Sequence, residues 1–436
     1  MKIETLKRNE LKKYGGILLV FIAVIVTVVQ LTSRAKYRTT QSIELARGTI
    51  NYTVPDLNLV SMYIEDNGTY KGTDTVPQSG YNLNSDKSYC AVNGNRDYSI
   101  TFNYSNGKIL LDNLTTKGTK CYLYFDKKPY TCKGVSCEAI MANMNTWKTR
   151  SNFDSIVTDT TTGVIYKSLN STQYDDYGET YYFAGNPSDN WVKFGGFYWR
   201  IIRINGDGTI RMIYQGTSAN TTGTGTQIGT SAFNSSYNNN MYVGYQYTNN
   251  QVHGKGTNST IKEVLDNWYN NALSNYASSI ATGGGANFCN DRTPSTSEHN
   301  INGSGGTGNT LTFYAPYVRL IFNKTPTLKC VDTEDKFTTP VGLITADEVV
   351  YAGGVYATNN SGYYLYTGGY YWTMSPFYFN PNVAAPTGEF LVYSSGLFGA
   401  GAVDDRVRGV RPVINLKADT IFSGGSGTSS NPYIVS

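Results

Sequence analysis

The chain has 436 residues, enough for two or three domains, and a formal net charge of only +4. Charged residues make up 16% of it, below the roughly 25% of an average soluble protein, while it contains 37 Tyr and 45 Gly. This composition is typical of a β-rich extracellular protein and argues against a cytosolic helical enzyme. The sequence has no basic stripe, which argues against a nucleic-acid partner.

The cysteines and histidines limit the chemistry further. The cysteines are even in number and include no CxxC pair, which favours disulfides in an oxidising compartment over a structural zinc site. His253 and His299 are the only histidines, and both lie in polar, loop-like sequence. Two such residues argue against His-based catalysis and against a multi-His metal site. We expect no bound metal, with calcium at Asp404-Asp405 or Asp207 as the one candidate.

The first predicted element is a transmembrane helix at 14–32, after a cytoplasmic tail at 1–13. Residues 14–31 are almost continuously apolar and as a helix would extend about 27 Å, enough to cross a bilayer core. Basic residues are more numerous before the segment than after it, which favours a cytoplasmic N-terminus. A cleaved signal peptide is the alternative, although its best cleavage site, 33–35, contains Arg. We therefore expect a single-pass cell-membrane protein, with extracellular domains and with the membrane as a partner.

Short apolar runs alternate with turn signals from 40 to 130. The Asn-Gly pairs in 66–68 and 105–107 are typical of hairpin turns, because both residues tolerate positive φ. This spacing predicts a small Ig-like β-sandwich that serves as a stalk. Cys90 and Cys121 occupy strand positions separated by one hairpin, so we expect a disulfide between them.

The residues from 131 to 174 are interpreted as a linker region. Cys132 and Cys137 flank a tight loop that a local disulfide would close. The stretch from Glu138 to Trp147 predicts a short helix.

The main domain is predicted at 175–422. Residues 192–216 predict two strands joined by a turn at 205–208. Capping boxes at 260–263 and 345–348 predict two helices, the first of four to five turns. A Gly/Ser tail at 423–436 is expected to add an edge strand. Because helices and strands both occur, the predicted fold class is α+β.

Three local features of this domain receive structural interpretations. Cys289 and Cys330 are expected to pair across a Gly/Ser-rich loop. Asp291-Arg292 is interpreted as part of a structural ion pair rather than as a catalytic group. The Asp347-Glu348 pair resembles a general acid and base, but first-turn acidic residues also favour the helix dipole, and we prefer that interpretation.

The segment 377–408 is the predicted binding surface, because it is rich in Gly, Ala and aromatic residues and lies between two apolar strands, around Trp372 and at 410–416. Tyr combines an apolar ring with a polar tip and suits contacts with proteins or glycans. Trp372 itself is interpreted as a core residue. The candidate ligand-binding residues are Tyr371, Tyr378, Phe379, Tyr393, Phe398, Asp404, Asp405 and Arg406.

These motifs together resemble an uncharacterised family of membrane-anchored surface proteins from Firmicutes. The similarity is carried by VKFGGFYWRIIRINGDGTIR, TIKEVLDNWY, FCNDR, PVGLITADEVVYAGG, YYWTMSP, GVRPVINLK and GTSSNPYIV. The C-terminal domain is also distantly similar to the formylglycine-generating-enzyme branch of the C-type-lectin fold. The resemblance implies a C-type-lectin-like mixed domain with a binding surface near its C-terminus.

The expected function is that of a membrane-anchored, adhesin-like extracellular binding protein without catalysis. Formylglycine-generating enzymes use a pair of cysteines late in their domain, whereas this chain has none after Cys330, so that oxidase chemistry is not expected. The ligand is an unidentified protein or glycan. The alternatives are an extracellular enzyme acting on cell wall, through carboxylates such as Asp347 and Asp404, and a structural surface or stalk component.

Overall fold

A computed structural model describes residues 58–77, 80–105, 108–128, 130–295 and 305–435. The predicted cytoplasmic tail, 1–13, and the predicted transmembrane helix, 14–32, lie outside these ranges. The strands are β1 (Leu59–Asp66), β2 (Thr69–Thr73), β3 (Tyr81–Leu83), β4 (Tyr89–Val92), β5 (Asn95–Asp97), β6 (Thr101–Ser105), β7 (Lys108–Asp112), β8 (Lys120–Lys127), β9 (Thr146–Lys148), β10 (Val164–Lys167), β11 (Tyr181–Tyr182), β12 (Trp191–Phe194), β13 (Phe197–Ile204), β14 (Ile210–Gly216), β15 (Gln246–Tyr247), β16 (Thr257–Asn258), β17 (Phe288–Cys289), β18 (Thr312–Phe313), β19 (Lys336–Phe337), β20 (Tyr371–Phe379), β21 (Thr387–Val392), β22 (Phe398–Ala402), β23 (Val413–Leu416), β24 (Phe422–Gly424) and β25 (Tyr433–Val435).

The α-helices in these residues are few and short, so the predicted α+β class is wrong and the described part of the chain is mostly β. They are α1 (Val135–Met141), α2 (Thr260–Ala272), α3 (Ala315–Val318) and α4 (Ala346–Tyr351). The long segment 217–245 forms only loops and short 3-10 turns. Its many Asn, Gly and Thr residues favour turns over helix, which explains the low helical content.

The prediction of a single-pass membrane protein is also corrected. Nowhere in the described ranges is there a helix both long and apolar enough to cross a membrane. The longest described helix, α2, has 13 residues and includes Lys262, Glu263 and Asp266, whereas a spanning helix needs about 20 mainly apolar residues.

The chain divides into two compact units that are interleaved in sequence. Of the described residues, the first unit contains 58–60, 89–101 and 112–121, and the second contains the others. In the first unit, β4 and β5 form an antiparallel hairpin, and Cys90 is disulfide-bonded to Cys121 as predicted.

The early strands of the second unit include one predicted hairpin. β1 pairs with β2 through the turn at Asn67 and Gly68, whose φ values of 51° and 78° explain the Asn-Gly pair. β3 pairs with β8, and β6 pairs with β7. Residues 106 and 107 of the second predicted turn lie outside the described ranges. The Ig-like sandwich at 40–130 stays a prediction.

A nine-stranded sheet forms a large part of the second unit. Its main order is β24-β25-β12-β13-β11-β10-β9, and β14 joins β13 to β23. β13 and β14 are the strands predicted at 192–216, with the turn at 205–208 between them. β9 and β10 come from the expected linker, and β25 lies in the tail predicted to add a strand.

A second, four-stranded antiparallel sheet has the order β18-β20-β21-β22. The segment before α4 connects the two sheets. Gly342 exchanges backbone hydrogen bonds with Val413 of β23, and the Met374 N–H of β20 donates to the Ile344 carbonyl at 2.8 Å. The Ala346 N–H donates to the Ser375 hydroxyl at 2.9 Å. α4 is therefore held against both sheets from its first turn.

Trp199 and Trp372 are fully buried, and for Trp372 this agrees with its interpretation as a core residue. The Trp199 indole donates to the Phe194 carbonyl at 3.0 Å, and the Trp372 indole donates to the Ser231 carbonyl at 2.8 Å. Each indole N–H is thus satisfied inside the core.

The helix predictions are partly correct. The capping box at Thr345 and Glu348 is confirmed, and α4 ends just before Gly353. α2 begins one residue earlier than predicted, because Ser259 rather than Thr260 is its N-cap. It is also shorter than four turns. α1 begins and ends several residues before the predicted helix at 138–147, whose end forms β9 instead.

The two disulfides predicted in the second unit are confirmed as Cys132–Cys137 and Cys289–Cys330. The first closes a separation of 5 residues and the second a separation of 41. Because cross-linking restricts the unfolded chain more when the loop is longer, the second should contribute more to stability.

We expect replacement of Cys289 and Cys330 by Ala to lower the free energy of unfolding by about 4 kcal/mol, and replacement of Cys132 and Cys137 by about 2 kcal/mol. Urea denaturation under non-reducing conditions measures both values. Equal losses, or a larger loss for the short loop, would show that loop entropy does not govern these disulfides.

Candidate functional site

A groove with a volume of about 360 Å³ lies against β20, β21 and β22, within the predicted binding segment. Aromatic side chains of Tyr356, Phe377, Tyr378 and Tyr393 line it together with small residues of β21 and β22. We call this cavity the aromatic groove. Its volume falls in the range of roughly 300–1,000 Å³ that is typical of small-molecule sites.

An irregularity in β20 places two consecutive aromatic residues in the groove. The pairing of β20 with β21 shifts register on both sides of Pro376, which has no N–H to donate to a sheet. A bulge of this kind breaks the strict alternation of side chains between the two faces of a strand. Phe377 and Tyr378 therefore both line the groove, and their ring centroids are 4.9 Å apart.

Small residues make room for the rings. A Cβ atom added to Gly399 would lie 2.8 Å from the ring of Tyr393, and one added to Gly388 would lie 3.5 Å from the ring of Phe377. The Tyr393 hydroxyl donates to the Ala400 carbonyl at 2.6 Å, which fixes the ring beside β22. A side chain at Gly399 would therefore displace Tyr393.

Two of the groove tyrosines, Tyr356 and Tyr393, remain neutral. Burial raises the pKa of Tyr356 and of Tyr393 above the ordinary value. Their hydroxyls therefore stay protonated at neutral pH and serve as neutral hydrogen-bonding groups. The described residues that line the groove include no Asp, Glu, Lys, Arg or His, so its surface carries no ionised side chain.

Of the predicted ligand-binding residues, only Tyr378 and Tyr393 line the groove. Tyr371, Phe379 and Phe398 are fully buried in the core. The Tyr371 hydroxyl donates to the Leu365 carbonyl at 2.8 Å, and the ring of Phe398 stacks on that of Phe390 at 5.0 Å.

The charged candidates follow β22 and do not line the groove. Asp405 forms an ion pair with Arg408 at 2.7 Å and accepts a hydrogen bond from the Val407 N–H. Asp404 is half-buried and Arg406 is exposed.

Two aromatic residues that line the groove were not among the candidates chosen from the sequence. Phe377 lies at the start of the predicted segment, but Phe379 was chosen as the neighbour of Tyr378, and the bulge at Pro376 that places Phe377 in the groove has no clear signal in the sequence. Tyr356 lies far earlier in the chain and reaches β22 through a parallel bridge with Phe398. No local pattern in the sequence identifies that contact.

A second cavity, of about 40 Å³, lies among buried charged residues at the junction of β13, β14 and α4. It has room for about three water molecules and is far too small for a sugar or peptide. The cavity is lined by Arg203, Arg211, Arg319, Glu348 and the Cys289–Cys330 disulfide, among other residues. We call the charged set around it the buried ion network.

Glu348 is the centre of one half of this network. One oxygen of Glu348 accepts from Arg203 at 2.8 Å and lies 2.5 Å from Arg211, while the other accepts from the Thr345 N–H at 2.9 Å. Arg203 also donates to Asp175 at 3.2 Å. Burial alone would raise the pKa of Glu348, but Arg211 and Arg203 outweigh burial and lower it below the ordinary value. Burial lowers the pKa of Arg211 to about 10.

Arg319 is the centre of the other half. It binds Asp347 through two nitrogens, at 2.6 and 2.8 Å, and also forms an ion pair with Asp291. Burial would lower the pKa of Arg319, but Asp347 and Asp291 raise it instead. Asp291 therefore belongs to an ion pair, as interpreted from the sequence, but its partner is Arg319 rather than the adjacent Arg292. Both carboxylates considered as acid and base, Asp347 and Glu348, are occupied by arginines.

Arg292 pairs instead with Asp335, at 2.8 Å between the guanidinium and the carboxylate. The same carboxylate lies 3.0 Å from His253. The hydrogen bond to Asp335 raises the pKa of His253. His299 lies outside the described residues.

Among the candidate calcium-binding residues, Asp207 and Asp405 accept hydrogen bonds from the backbone and do not form a coordination cage for a metal ion. Asp207 accepts from the Thr209 N–H and from the Gly285 N–H, which fixes the turn between β13 and β14. Within the described ranges, no group of three or more His, Cys, Asp or Glu side chains is arranged to hold a metal ion. Calcium at Asp207 or at Asp404-Asp405 stays a prediction.

Glu389 is a buried carboxyl group in the middle of β21, and it was not singled out from the sequence. It is fully buried, and neither carboxyl oxygen has a hydrogen-bond partner among the described residues. Burial raises the pKa of Glu389 well above the ordinary value, and Arg292 only partly opposes this effect. Burial therefore favours the protonated, uncharged form of Glu389 in the folded chain.

No protein-family model, curated protein or solved structure matches this chain. The resemblance to a Firmicutes surface-protein family and the C-type-lectin-like fold of 175–422 therefore stay predictions.

We expect Glu348→Gln to lower the free energy of unfolding by about 3 kcal/mol at pH 7, because it leaves buried arginines without their counter-charge. The pKa of Glu348 is lower in the folded chain than in the unfolded chain. Its contribution is therefore present above about pH 4.3 and is lost as the pH falls through the folded pKa. Urea denaturation from pH 3 to pH 8 measures the difference. The exposed Glu263→Gln is the control, and a loss that does not shrink in acid would contradict the assignment.

Glu389→Gln should change the free energy of unfolding in the opposite direction, making the chain more stable relative to the wild type as the pH rises. Because the folded pKa is raised, the wild-type chain is most stable below the unfolded pKa of about 4.3 and loses stability as the pH rises. The variant should match the wild type near pH 4 and become more stable above it, by up to about 1.4 kcal/mol per pH unit. Thermal unfolding at several pH values, with the exposed Glu334→Gln as control, measures this. A variant less stable than the wild type at pH 8 would mean that Glu389 is ionised and paired.

Proposed function

We propose that the chain is a non-catalytic, adhesin-like binding protein that holds an uncharged ligand in the aromatic groove. The observation that supports this most directly is the groove itself. It lies in the segment predicted to bind, has the volume of a ligand site, and is lined by four aromatic rings around a Gly- and Ala-rich wall. Concave surfaces of this size that combine aromatic rings with a few polar groups are typical of ligand sites.

The electrostatics of the groove favour an uncharged ligand. A charged ligand would lose its hydration without gaining an opposite charge from the lining residues, which costs several kcal/mol. The Tyr356 and Tyr378 hydroxyls are hydrogen-bonded to no other described residue and remain available to a ligand. An uncharged molecule that has an apolar face and hydroxyl groups matches both the uncharged lining and the available tyrosine hydroxyls.

The same lining argues against catalysis in the groove. Tyr is the only residue type with a titratable side chain among the described residues that line it, and burial keeps two of these tyrosines protonated. General acid-base catalysis near neutral pH needs a group with a pKa close to that value. Asp347, proposed for the enzyme alternative, is bound by Arg319 elsewhere, and Asp404 does not line the groove.

A printed array of neutral glycans, acidic glycans and neutral peptides tests the proposal with the purified chain. We expect binding to uncharged ligands only. Tyr378→Ala removes one ring of the groove and should weaken binding about tenfold or more, as is usual for a central aromatic contact. Gly399→Val should have a similar effect by displacing Tyr393.

Tyr276→Ala is the matched control, because Tyr276 is a partly exposed tyrosine that does not line the groove. It should bind like the wild type. If the chain binds nothing on the array, or if its binding is unchanged by both groove variants, the proposal fails. Self-assembly of the purified chain in that case would favour the structural-component alternative.

A further inference from the structure

Aromatic rings continue beyond the aromatic groove on the α3 side. Tyr317 of α3 contacts Phe377 with ring centroids 4.7 Å apart, and it contacts Phe313 of β18 at 4.8 Å. Phe322 lies beyond Tyr317, at 5.9 Å, and its side chain is 40% exposed. The rings from Phe377 to Phe322 are therefore in continuous contact, and the last of them is partly exposed to solvent.

Aromatic contacts also extend beyond the groove from Tyr393. Tyr393, which lines the groove, contacts Tyr370 at 5.2 Å between ring centroids. Arg408 lies over the face of Tyr370 at 4.4 Å, and its charge is balanced by Asp405. We call the rings of Phe322, Tyr317, Phe377, Tyr378, Tyr356, Tyr393 and Tyr370 the aromatic row. Only its central part belongs to the groove, so a ligand confined to the groove would leave both ends unused.

The edge of the four-stranded sheet argues against an added peptide strand. Peptides that extend a sheet need free carbonyl and N–H groups along an edge strand. Along β22, however, alternate carbonyls already accept hydrogen bonds. They accept from the Ala357 N–H at Phe398 (2.8 Å), from the Tyr393 hydroxyl at Ala400 (2.6 Å) and from the Asp405 N–H at Ala402 (3.1 Å). Recognition here depends on side-chain faces instead of on strand pairing.

From these observations, and resting on the proposed function, we infer that the ligand is a linear neutral oligosaccharide that extends along the aromatic row. Sugar rings present apolar C–H faces that pack on aromatic rings and hydroxyl groups that bond to tyrosine hydroxyls. Their lack of charge matches the uncharged groove, and the balanced Arg408–Asp405 pair adds no net charge at one end. A linear chain of sugars also accounts for a binding surface longer than the groove.

Calorimetric titration of the purified full-length chain tests this inference. The probes are β-1,4-linked glucose oligomers and β-1,4-linked N-acetylglucosamine oligomers, each from two to six units long. For at least one series, the Kd should fall about tenfold or more with length, as further rings of the row are covered.

Phe322→Ala should remove most of the increase in affinity with oligomer length. It should leave the affinity for the disaccharide unchanged, because the exposed Phe322 ring contacts only the longer oligomers. Tyr378→Ala should weaken binding at every length. Tyr276→Ala should change neither. Thermal unfolding of each variant establishes that it is folded, and the exposure of Phe322 makes its replacement the least disruptive of these changes.

The possible results separate this inference from the proposed function. A Kd that does not depend on length, or that falls equally with length in Phe322→Ala, overturns the inference. So does binding of a neutral peptide in place of both sugar series. In each of these cases, binding that is still lost in Tyr378→Ala leaves the proposed function standing. If no uncharged ligand on the array binds, both the proposed function and this inference fail.

Discussion

The interaction on which the rest of this unit depends is the binding of two buried arginines by Glu348. Arg203 and Arg211 project from neighbouring strands of the nine-stranded sheet, and Glu348 belongs to the first turn of α4. The N-terminus of α4 also bonds to Ser375 of β20. One carboxylate therefore connects the large sheet to the helix that supports the four-stranded sheet. A buried charge is expensive unless it is paired, so this contact requires one relative placement of the strands and α4.

The aromatic groove forms on the strands that this contact positions. The bulge at Pro376 presents two consecutive rings, Gly399 leaves space for Tyr393, and Phe390 lies beneath them, with its centroid 4.9 Å from that of Phe377. Rigid support of this kind keeps aromatic rings in place before a ligand binds, which reduces the entropy lost on binding. The groove and the buried ion network thus have different roles. The first presents a surface, and the second holds the strands that carry it.

Features encoded by neighbouring residues could be predicted from the sequence. The β13–β14 hairpin, the capping box of α4 and the three disulfide pairings follow from turn chemistry, spacing and strand position. The buried ion network could not be predicted, because Arg203 looks like an outward-facing strand residue and its partner Glu348 is 145 positions away. Tyr356 was missed for the same reason, because its contact with Phe398 of β22 joins residues that are far apart in the sequence. Six of the eight candidate binding residues lie outside the groove. Three of these six, Tyr371, Phe379 and Phe398, are buried strand residues, and alternation alone does not show which face of β20 and β22 is covered.

A structure of the chain crystallised with a neutral oligosaccharide tests the central claim most directly. We expect density for sugar rings in the aromatic groove, packed on Tyr378 and Tyr393 and continuing toward Tyr317. Sugar bound at another surface, or a groove filled by residues of the same chain in solution as well as in the crystal, would contradict it.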